Sequence, residues 1–350
     1  MDLEKIKDSL KNEPSFRLKQ VYKALFFDLV ENWNNITSLP QELREKLNKD
    51  CPIDKIFENE QIFESKDKQT IKILFTLTDE SKIESVLMQH ALSSEALAKE
   101  EGTRNTVCVS SQVGCNIGCK FCATGQQGFK RNLTVSEILN QILFFARILK
   151  KDGKRITNIV FMGMGEPFLN YDNVLKSIKI LNDKNGFNIG ARHISISTAG
   201  IIEGIEKLSN EKLQINLAIS LHAPNDKLRS ELMPINQKYT LEKILKAVDD
   251  YIVKTKRRVM FEYLLIEGIN DSIDQAKELA ELLKKIKNPL FFVNLISFNP
   301  IGHSDFKPSD VTNIRKFKYE LEKSGIAVTQ RHRFGEKIKA ACGQLAGENI

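Results

Sequence analysis

The sequence predicts an α/β chain built on a partial (βα)6 TIM-type barrel, because six apolar strands alternate with helices over residues 105–325. Two further patterns complete the architecture. Residues 1–68 carry short amphipathic helical periods, which predict a small N-terminal helical accessory domain, and residues 69–104 hold two alternating runs that predict a β-hairpin and linker. A C-terminal strand and loop over 326–350 close the chain.

In order along the chain, Leu18, Val21, Tyr22 and Leu25 recur at i, i+3, i+4 and i+7, the spacing of one buried helix face. Ser38-Leu39-Pro40 before Gln41-Glu42-Leu43 reads as a cap and a helical restart. The runs 70–77 and 82–88 alternate apolar and polar residues around Thr78-Asp79-Glu80-Ser81, so they form the hairpin. Barrel strands follow at 106–110, 158–164, 193–198, 214–220, 259–266 and 291–298, with helices at 135–149, 174–181, 241–253 and 274–283. Strands this uniformly apolar are buried on both faces, which argues for a parallel sheet. In barrels the chemistry sits at the carboxyl ends of the strands. Those ends carry Cys115 to Cys122, Gly163-Met164-Gly165-Glu166, Ser197-Thr198, Ser220-Leu221-His222 and Asn299.

Composition sets the class. The 350 residues are 41% hydrophobic and 28% charged, enough for a large core and unlike a disordered chain. No apolar run approaches the ~18 residues of a spanning helix, and the charged start Met1-Asp2-Leu3-Glu4-Lys5 lacks the apolar centre of a signal peptide, so a cytoplasmic address with no membrane is expected. Of 52 Lys and Arg and 45 Asp and Glu, residues 1–88 hold 14 and 17, leaving 38 and 28, a net of +10, for residues 89–350. Basic residues concentrate at 150–155, 254–258 and Arg331-His332-Arg333. A polyanion such as RNA suits this surface; solvated helix ends are the alternative.

Three of the six cysteines form Cys115-x3-Cys119-x2-Cys122. Clustered thiols in a chain expected to be cytosolic point to metal ligation rather than disulfides. Structural zinc and electron-transfer clusters usually take four protein ligands, whereas three leave an iron open to a substrate such as S-adenosylmethionine (SAM), whose amine and carboxylate can fill the vacancy. A zinc loop completed by His193 or His222 is the alternative. Cys108 on the first barrel strand reads, by itself, as an inert buried thiol, and Cys51 as structural. Cys342 lies among Ala340, Ala341 and Gly343, which permit a bulky ligand to approach, and it follows Arg331-His332-Arg333, which would favour a thiolate if near. Gly163 and Gly165 permit close backbone approach, and Glu166 can accept from an amino group. Alternation places Glu84 on the solvent side of its strand.

The cysteine motif resembles the radical SAM superfamily. Residues 108–115, 123–134, 161–167 and 340–345, with 16–22 and 83–86, resemble the RlmN/Cfr family of ribosomal RNA adenine methyltransferases over essentially the whole chain. The resemblance implies a 4Fe-4S cluster on Cys115, Cys119 and Cys122, two SAM per turnover, and SAM contacts at Gly165, Glu166, Ser197, Ser220, Leu221, His222 and Asn299. It implies methylation of carbon 2 of an adenine in 23S rRNA and of the adenine beside the tRNA anticodon; the Cfr branch methylates carbon 8. Adenine carbon 2 or 8 is electrophilic and cannot attack the SAM methyl group, so the implied route is radical. One SAM methylates Cys342, a second gives the radical that takes hydrogen from that methyl, and the carbon radical adds to the base. Glu84 is implied as the base that takes the ring proton and Cys108 as the thiol that releases the product, leaving a disulfide for a reductant to open. An electron-donor protein and a monomeric chain complete the expectation.

Lys337 and Lys339 stand where members of the family commonly place acidic residues. Residue chemistry does not separate carbon 2 from carbon 8; Glu166-Pro167 and residues 126–129 resemble the carbon-2 branch. Two other classes share the cysteine loop. A radical SAM activase of a protein partner has no need of Cys342 or a basic surface, and a non-enzymatic RNA-binding iron-sulfur protein has no need of an open iron.

Overall fold

The apolar stripe at Leu18 to Leu25 folds against its neighbours as a small helical layer. Its elements are α1 (Leu3–Ser9), α2 (Phe16–Tyr22), which runs into a π-helical turn over Lys23–Phe27, and α3 (Gln41–Asp50). Trp33 is fully buried there and its indole N–H donates to the Cys51 carbonyl at 2.7 Å. Cys51 is thus a packed structural residue, as read. The structure is a computed structural model and describes residues 3–53, 57–91, 103–302, 304–331, 335 and 338–347.

The hairpin carries a third strand. β1 (Phe57–Glu64) pairs antiparallel with β2 (Thr70–Leu77), and β2 with β3 (Lys82–Ala91). β1 falls within the stretch expected to be helical. It is an edge strand whose side chains are mostly exposed, so backbone pairing rather than apolar alternation defines it. β3 then pairs antiparallel with β4 (Thr103–Cys108), placing Val86 opposite Cys108. The hairpin is therefore an extension of the barrel sheet, not a separate module. The short strands β5 (Gln112–Gly114) and β6 (Phe129–Asn132) form a second sheet beside the barrel mouth.

From β4 the main sheet is parallel and runs through β7 (Asn158–Phe161), β8 (Ile194–Thr198), β9 (Asn216–Ser220), β10 (Val259–Leu265), β11 (Phe291–Ser297) and β12 (Val328–Gln330). Six of these are the expected barrel strands; β12 is the expected C-terminal strand. Several end earlier than the apolar run suggests. Ser110, Met164, Ile266 and Phe298 lie just past the paired segments, where the chain leaves the sheet to build the site.

The helices are α4 (Ala123–Gln126), α5 (Val135–Lys151), α6 (Tyr171–Asn182), α7 (Ile202–Ser209), α8 (Asp226–Leu232), α9 (Leu241–Thr255), α10 (Ile273–Leu283) and α11 (Val311–Lys323). Thr134 and Glu137 form a capping box that starts α5. From α5, Lys150 Nζ and Arg147 Nη2 reach the Asp28 and Val30 carbonyls and tie the helical layer to the barrel. No helix among the described residues is long and apolar enough to cross a membrane.

The helix-to-strand loops α5–β7 and α9–β10 carry the basic stretches 150–155 and 254–258, so both lie at the amino ends of the strands, away from the cysteine loop. Some of their charge is already engaged: Lys154 donates to Gln89, and Arg257 to the Glu211 carbonyl. Exposed lysines on the cysteine side include Lys120, Lys130 and Lys227.

Candidate active site

The cysteine loop is folded by its own backbone. Cys115 N–H donates to the Gly128 carbonyl at 2.8 Å, and a Cβ on Gly114, whose φ is +71°, would stand 1.9 Å from that oxygen. Only glycine fits there. All three thiols line one open cavity of about 890 Å³, together with Gly165, Glu166, Ser197, Ser220, His222 and Cys342. Eight of the ten residues expected to hold cluster or SAM are thereby brought together with the expected methyl carrier. Leu221 is fully buried and is not in the cavity wall; its carbonyl accepts from Arg229. Asn299 lines the neighbouring cavity instead, where its Nδ2 donates to the Cys342 carbonyl at 3.1 Å.

Burial pushes the Cys115 thiol up to about 12 and raises Cys119 and Cys122 as well, with neighbouring thiolates opposing the ionisation of all three. An iron cluster reverses this, because its positive charge holds thiolates in the interior. Among the described residues no three His, Cys, Asp or Glu side chains converge on a single-ion position. Thiols spread around a larger group suit a cluster better than the zinc alternative. His193 lies in a 3-10 turn at the amino end of β8, remote from the loop. His222 has φ +58°, sits edge-on to Phe121 with ring centroids 4.8 Å apart, and accepts from the Leu264 N–H at Nδ1. Burial depresses its pKa to about 3, so the ring is neutral and its Nε2–H is a donor.

Glu166 joins two strand ends. One carboxylate oxygen accepts from Phe168 N–H at 3.0 Å, the other from Ala199 N–H at 2.7 Å. Burial outweighs these bonds and raises its pKa to about 7. The two glycines before it differ from their sequence reading. A Cβ on Gly163 would meet the Val109 carbonyl at 2.7 Å, and one on Gly165, at φ +97°, would meet Gln112 Cβ at 2.5 Å. The close approach they permit is to the chain at 109–112, onto which this segment is zipped by Gly163 N–H to Val109 and Ser111 N–H to Met164.

Cys108 and Cys342 share a second, small cavity with Val86, Met88, Met162 and Arg331. Cys342 lines both cavities, whereas Cys108 lines only this one. Both are free thiols. Burial first, and then Cys342, push Cys108 up to about 12. Arg331 also lines both cavities; the Cys342 thiolate is the main influence favouring its charge, and its guanidinium stands 3.8 Å from Glu262. The expected basic neighbour of Cys342 is therefore Arg331, while His332, Arg333, Glu336 and Lys337 lie outside the described residues. Lys339 is exposed, with φ +50°.

Glu84 is not solvent-facing. It is 1% exposed, and Lys72 Nζ, equally buried, lies 2.6 Å from its Oε1. Its Oε2 accepts from the N–H groups of Ala346 and Gly347 at 2.7 and 3.1 Å. Alternation misled because the C-terminal segment covers this face of the hairpin.

Sequence reasoning also passed over Lys72, Glu262 and Arg229. Lys72 had a signal: the hairpin register sets Lys72 opposite Val86 and Glu84 opposite Leu74, a diagonal pair of opposite charges on one face. Glu262, on β10, lines the larger cavity and accepts from Ser197 Oγ at 2.7 Å. Arg229 is fully buried in α8, and it donates to the carbonyls of Ala199, Ser220 and Leu221, holding the ends of β8 and β9 in place. Its position in a short polar helix gave no warning of burial.

An open parallel barrel with three thiols on the loop after its first strand, facing an acidic Gly-rich strand end, defines the radical SAM class. The sequence matches the Radical SAM superfamily over residues 109–283. A crystal structure of a radical SAM methyltransferase from Sphaerobacter thermophilus superimposes with a TM-score of 0.90 at 40% identity, covering 99% of this chain and 98% of that one. A probable dual-specificity RNA methyltransferase RlmN from Dictyoglomus thermophilum is 46% identical over 98% of this chain and 94% of its own. The ribosomal RNA large subunit methyltransferase N of Nitrosopumilus maritimus is 45% identical over 94% and 92%. The chain belongs to the RlmN family of radical SAM RNA methyltransferases.

Proposed function

We propose that this chain methylates carbon 2 of an adenine in 23S rRNA and of the adenine beside the anticodon of tRNA, with Cys342 as the methyl carrier. The observation that carries the reading is the position of Cys342 in the walls of two cavities, one holding the cluster cysteines and the other Cys108. Cys115, Cys119 and Cys122 would hold a 4Fe-4S cluster, which with two SAM molecules would supply the radical and the methyl group.

The chain's own residues do the rest. Gly165, Glu166, Ser197, Ser220 and the His222 Nε2–H line the space where SAM would be held; Leu221, behind that wall, is fixed through its carbonyl by Arg229, and Asn299 holds the Cys342 carbonyl. Cys342, beside Arg331 in the walls of both cavities, is the thiol that accepts a methyl group. Cys342 then carries that carbon to the base, and Glu84 takes the ring proton. The Cys108 thiolate attacks Cys342 sulfur, the bond from that sulfur to the transferred carbon breaks, and the carbon takes up a proton to become the methyl group of the released base, leaving a Cys108–Cys342 disulfide for an external reductant. An electron-donor protein serves the cluster, and the enzyme works as a monomer in the cytoplasm. Nucleoside mass spectrometry of 23S rRNA and tRNA treated with reconstituted enzyme tests the assignment: 2-methyladenosine is expected, 8-methyladenosine moves the chain to the Cfr branch, and an unmodified RNA with a working cluster rejects it.

A further inference from the structure

The buried Lys72–Glu84 pair is a costly feature with a specific attachment. Taking two charges out of water is repaid only by good geometry, and apolar residues of similar size would often stabilise as well. Lys72 Nζ lies 2.6 Å from Glu84 Oε1 but off the hydrogen-bond direction, so the contact is ionic. The same ammonium lies 5.2 Å from the centre of the Phe63 ring. The other carboxylate oxygen, Oε2, is spent on the backbone of residues 346 and 347.

Those residues end the segment that carries Cys342. On its far side the segment is held by α4 of the cysteine loop: Ala123 N–H donates to the Gly343 carbonyl at 2.8 Å, and Thr124 Oγ1 to the Leu345 carbonyl at 2.5 Å. Glu84 is the anchor on the hairpin side. On β3, Glu84, Val86 and Met88 alternate onto one face, and Val86 and Met88 line the cavity shared by Cys108 and Cys342, as does Leu345. Residues 345–347 thus bridge from the cavity rim to the Glu84 carboxylate.

We infer that Lys72 is a positioning residue whose ion pair with Glu84 latches residues 346–347, closing the thiol cavity over Cys342. While the latch is closed, Oε2 is occupied by two N–H groups; when the segment lifts, the same carboxylate is freed at the edge of the cavity where the adenine enters. Lys72, 2.6 Å from Oε1, keeps the Glu84 carboxylate aimed in both settings. The second half of this scheme rests on the reading of Glu84 as the proton acceptor; the latch itself does not.

The test uses the iron-loaded full chain with Lys72→Met, Lys72→Arg and Gly347→Ala. Gly347→Ala leaves both charges in place, since a Cβ there would press on the Lys82 carbonyl at 2.8 Å from a backbone at φ +63°. Amide exchange at 345–347 and iodoacetamide alkylation of Cys342, scaled to Cys51, are read by peptide mass spectrometry. Lys72→Met and Gly347→Ala are expected to speed both by about tenfold or more, the effect of losing bonds to a charged acceptor, while Lys72→Arg stays near the parent. If Lys72→Met does not fold, Gly347→Ala decides alone. Unchanged exchange and alkylation in the folded variants overturn the latch. Normal single-turnover deprotonation by Glu84→Gln, with the Lys72 and Gly347 variants showing the expected exchange and alkylation, removes only the proton-acceptor reading.

Discussion

Replacing Gly165 with Ala puts a single methyl group where the structure has no room and the backbone no tolerance. The φ of +97° costs an L-residue about 1–3 kcal/mol. The new Cβ would sit 2.5 Å and 2.7 Å from Gln112 Cβ and Cγ and 2.8 Å from Gln112 N. The backbone nitrogen cannot swing aside, because Gln112 N–H bonds to the Met164 carbonyl and Gln112 Oε1 accepts from Glu166 N–H. Overpacking of this kind costs about 1–3 kcal/mol more, for a central value of about 4 kcal/mol in all. The cost appears as lost stability if the site keeps its shape, or as weaker SAM binding if residues 163–166 yield. Each 1.4 kcal/mol that goes to binding is about tenfold in Kd. Guanidinium unfolding and equilibrium dialysis of SAM on the iron-loaded protein should together recover the sum. Gly268→Ala is the control, since its φ of +67° is strained but nothing lies within 4 Å of the added Cβ. If Gly165→Ala changed both quantities by no more than this control, the close packing of the two segments would not be what requires glycine.

Three further outcomes follow from the site. Cys108→Ala should cost only about 1 kcal/mol of stability yet halt turnover after base addition. It should leave a protein–RNA species that reductant cannot resolve and that vanishes when Cys342→Ala is added; normal multiple turnover refutes the role of Cys108. Glu166, raised by burial from its ordinary 4.5 to about 7, costs stability as pH rises. The unfolded chain ionises it first, so up to about 3 kcal/mol is lost between pH 4.5 and 7 and none below. Glu166→Gln should flatten the stability curve over that window, and parallel curves would show that the carboxyl is not perturbed. Lys120→Glu, beside the cysteine loop, should weaken RNA binding and lower its salt slope by about 1 or more, whereas Lys256→Glu, at the opposite end of the barrel, should do neither; equal effects would place the RNA elsewhere.

Periodicity made the barrel legible, because strands buried on both faces leave uninterrupted apolar runs and six such runs matched β4 and β7 to β11. It failed where burial and polarity part company. β1 exposes most of its side chains and pairs only through its backbone, so nothing in Glu58-Asn59-Glu60-Gln61 marks a strand. α8 hides Arg229 by spending its guanidinium on carbonyls at the ends of β8 and β9, a satisfaction that no local pattern encodes. Glu84 was legible as a candidate only through resemblance, since the segment that buries it lies 262 residues further along the chain at Ala346. The basic stretches show the converse failure. Counting charge found an excess over residues 89–350, but only the strand-helix order reveals that two of the three concentrations face away from the cysteines.

The way Cys342 is held bears on how one thiol can serve two chemistries. Its segment is attached chiefly through backbone atoms: Asn299 binds the Cys342 carbonyl, Ala123 the Gly343 carbonyl, and Glu84 the N–H groups beyond. The Cys342 side chain is left out of this framework. It can therefore change from thiolate to thioether to disulfide without breaking the bonds that place it. Cys108, by contrast, lies on β4 in register with Val86 and is as fixed as the sheet. A release step that joins these two sulfurs thus asks a loop, not a strand, to move. That is the arrangement expected if Cys342 must meet SAM in one cavity and Cys108 in the other.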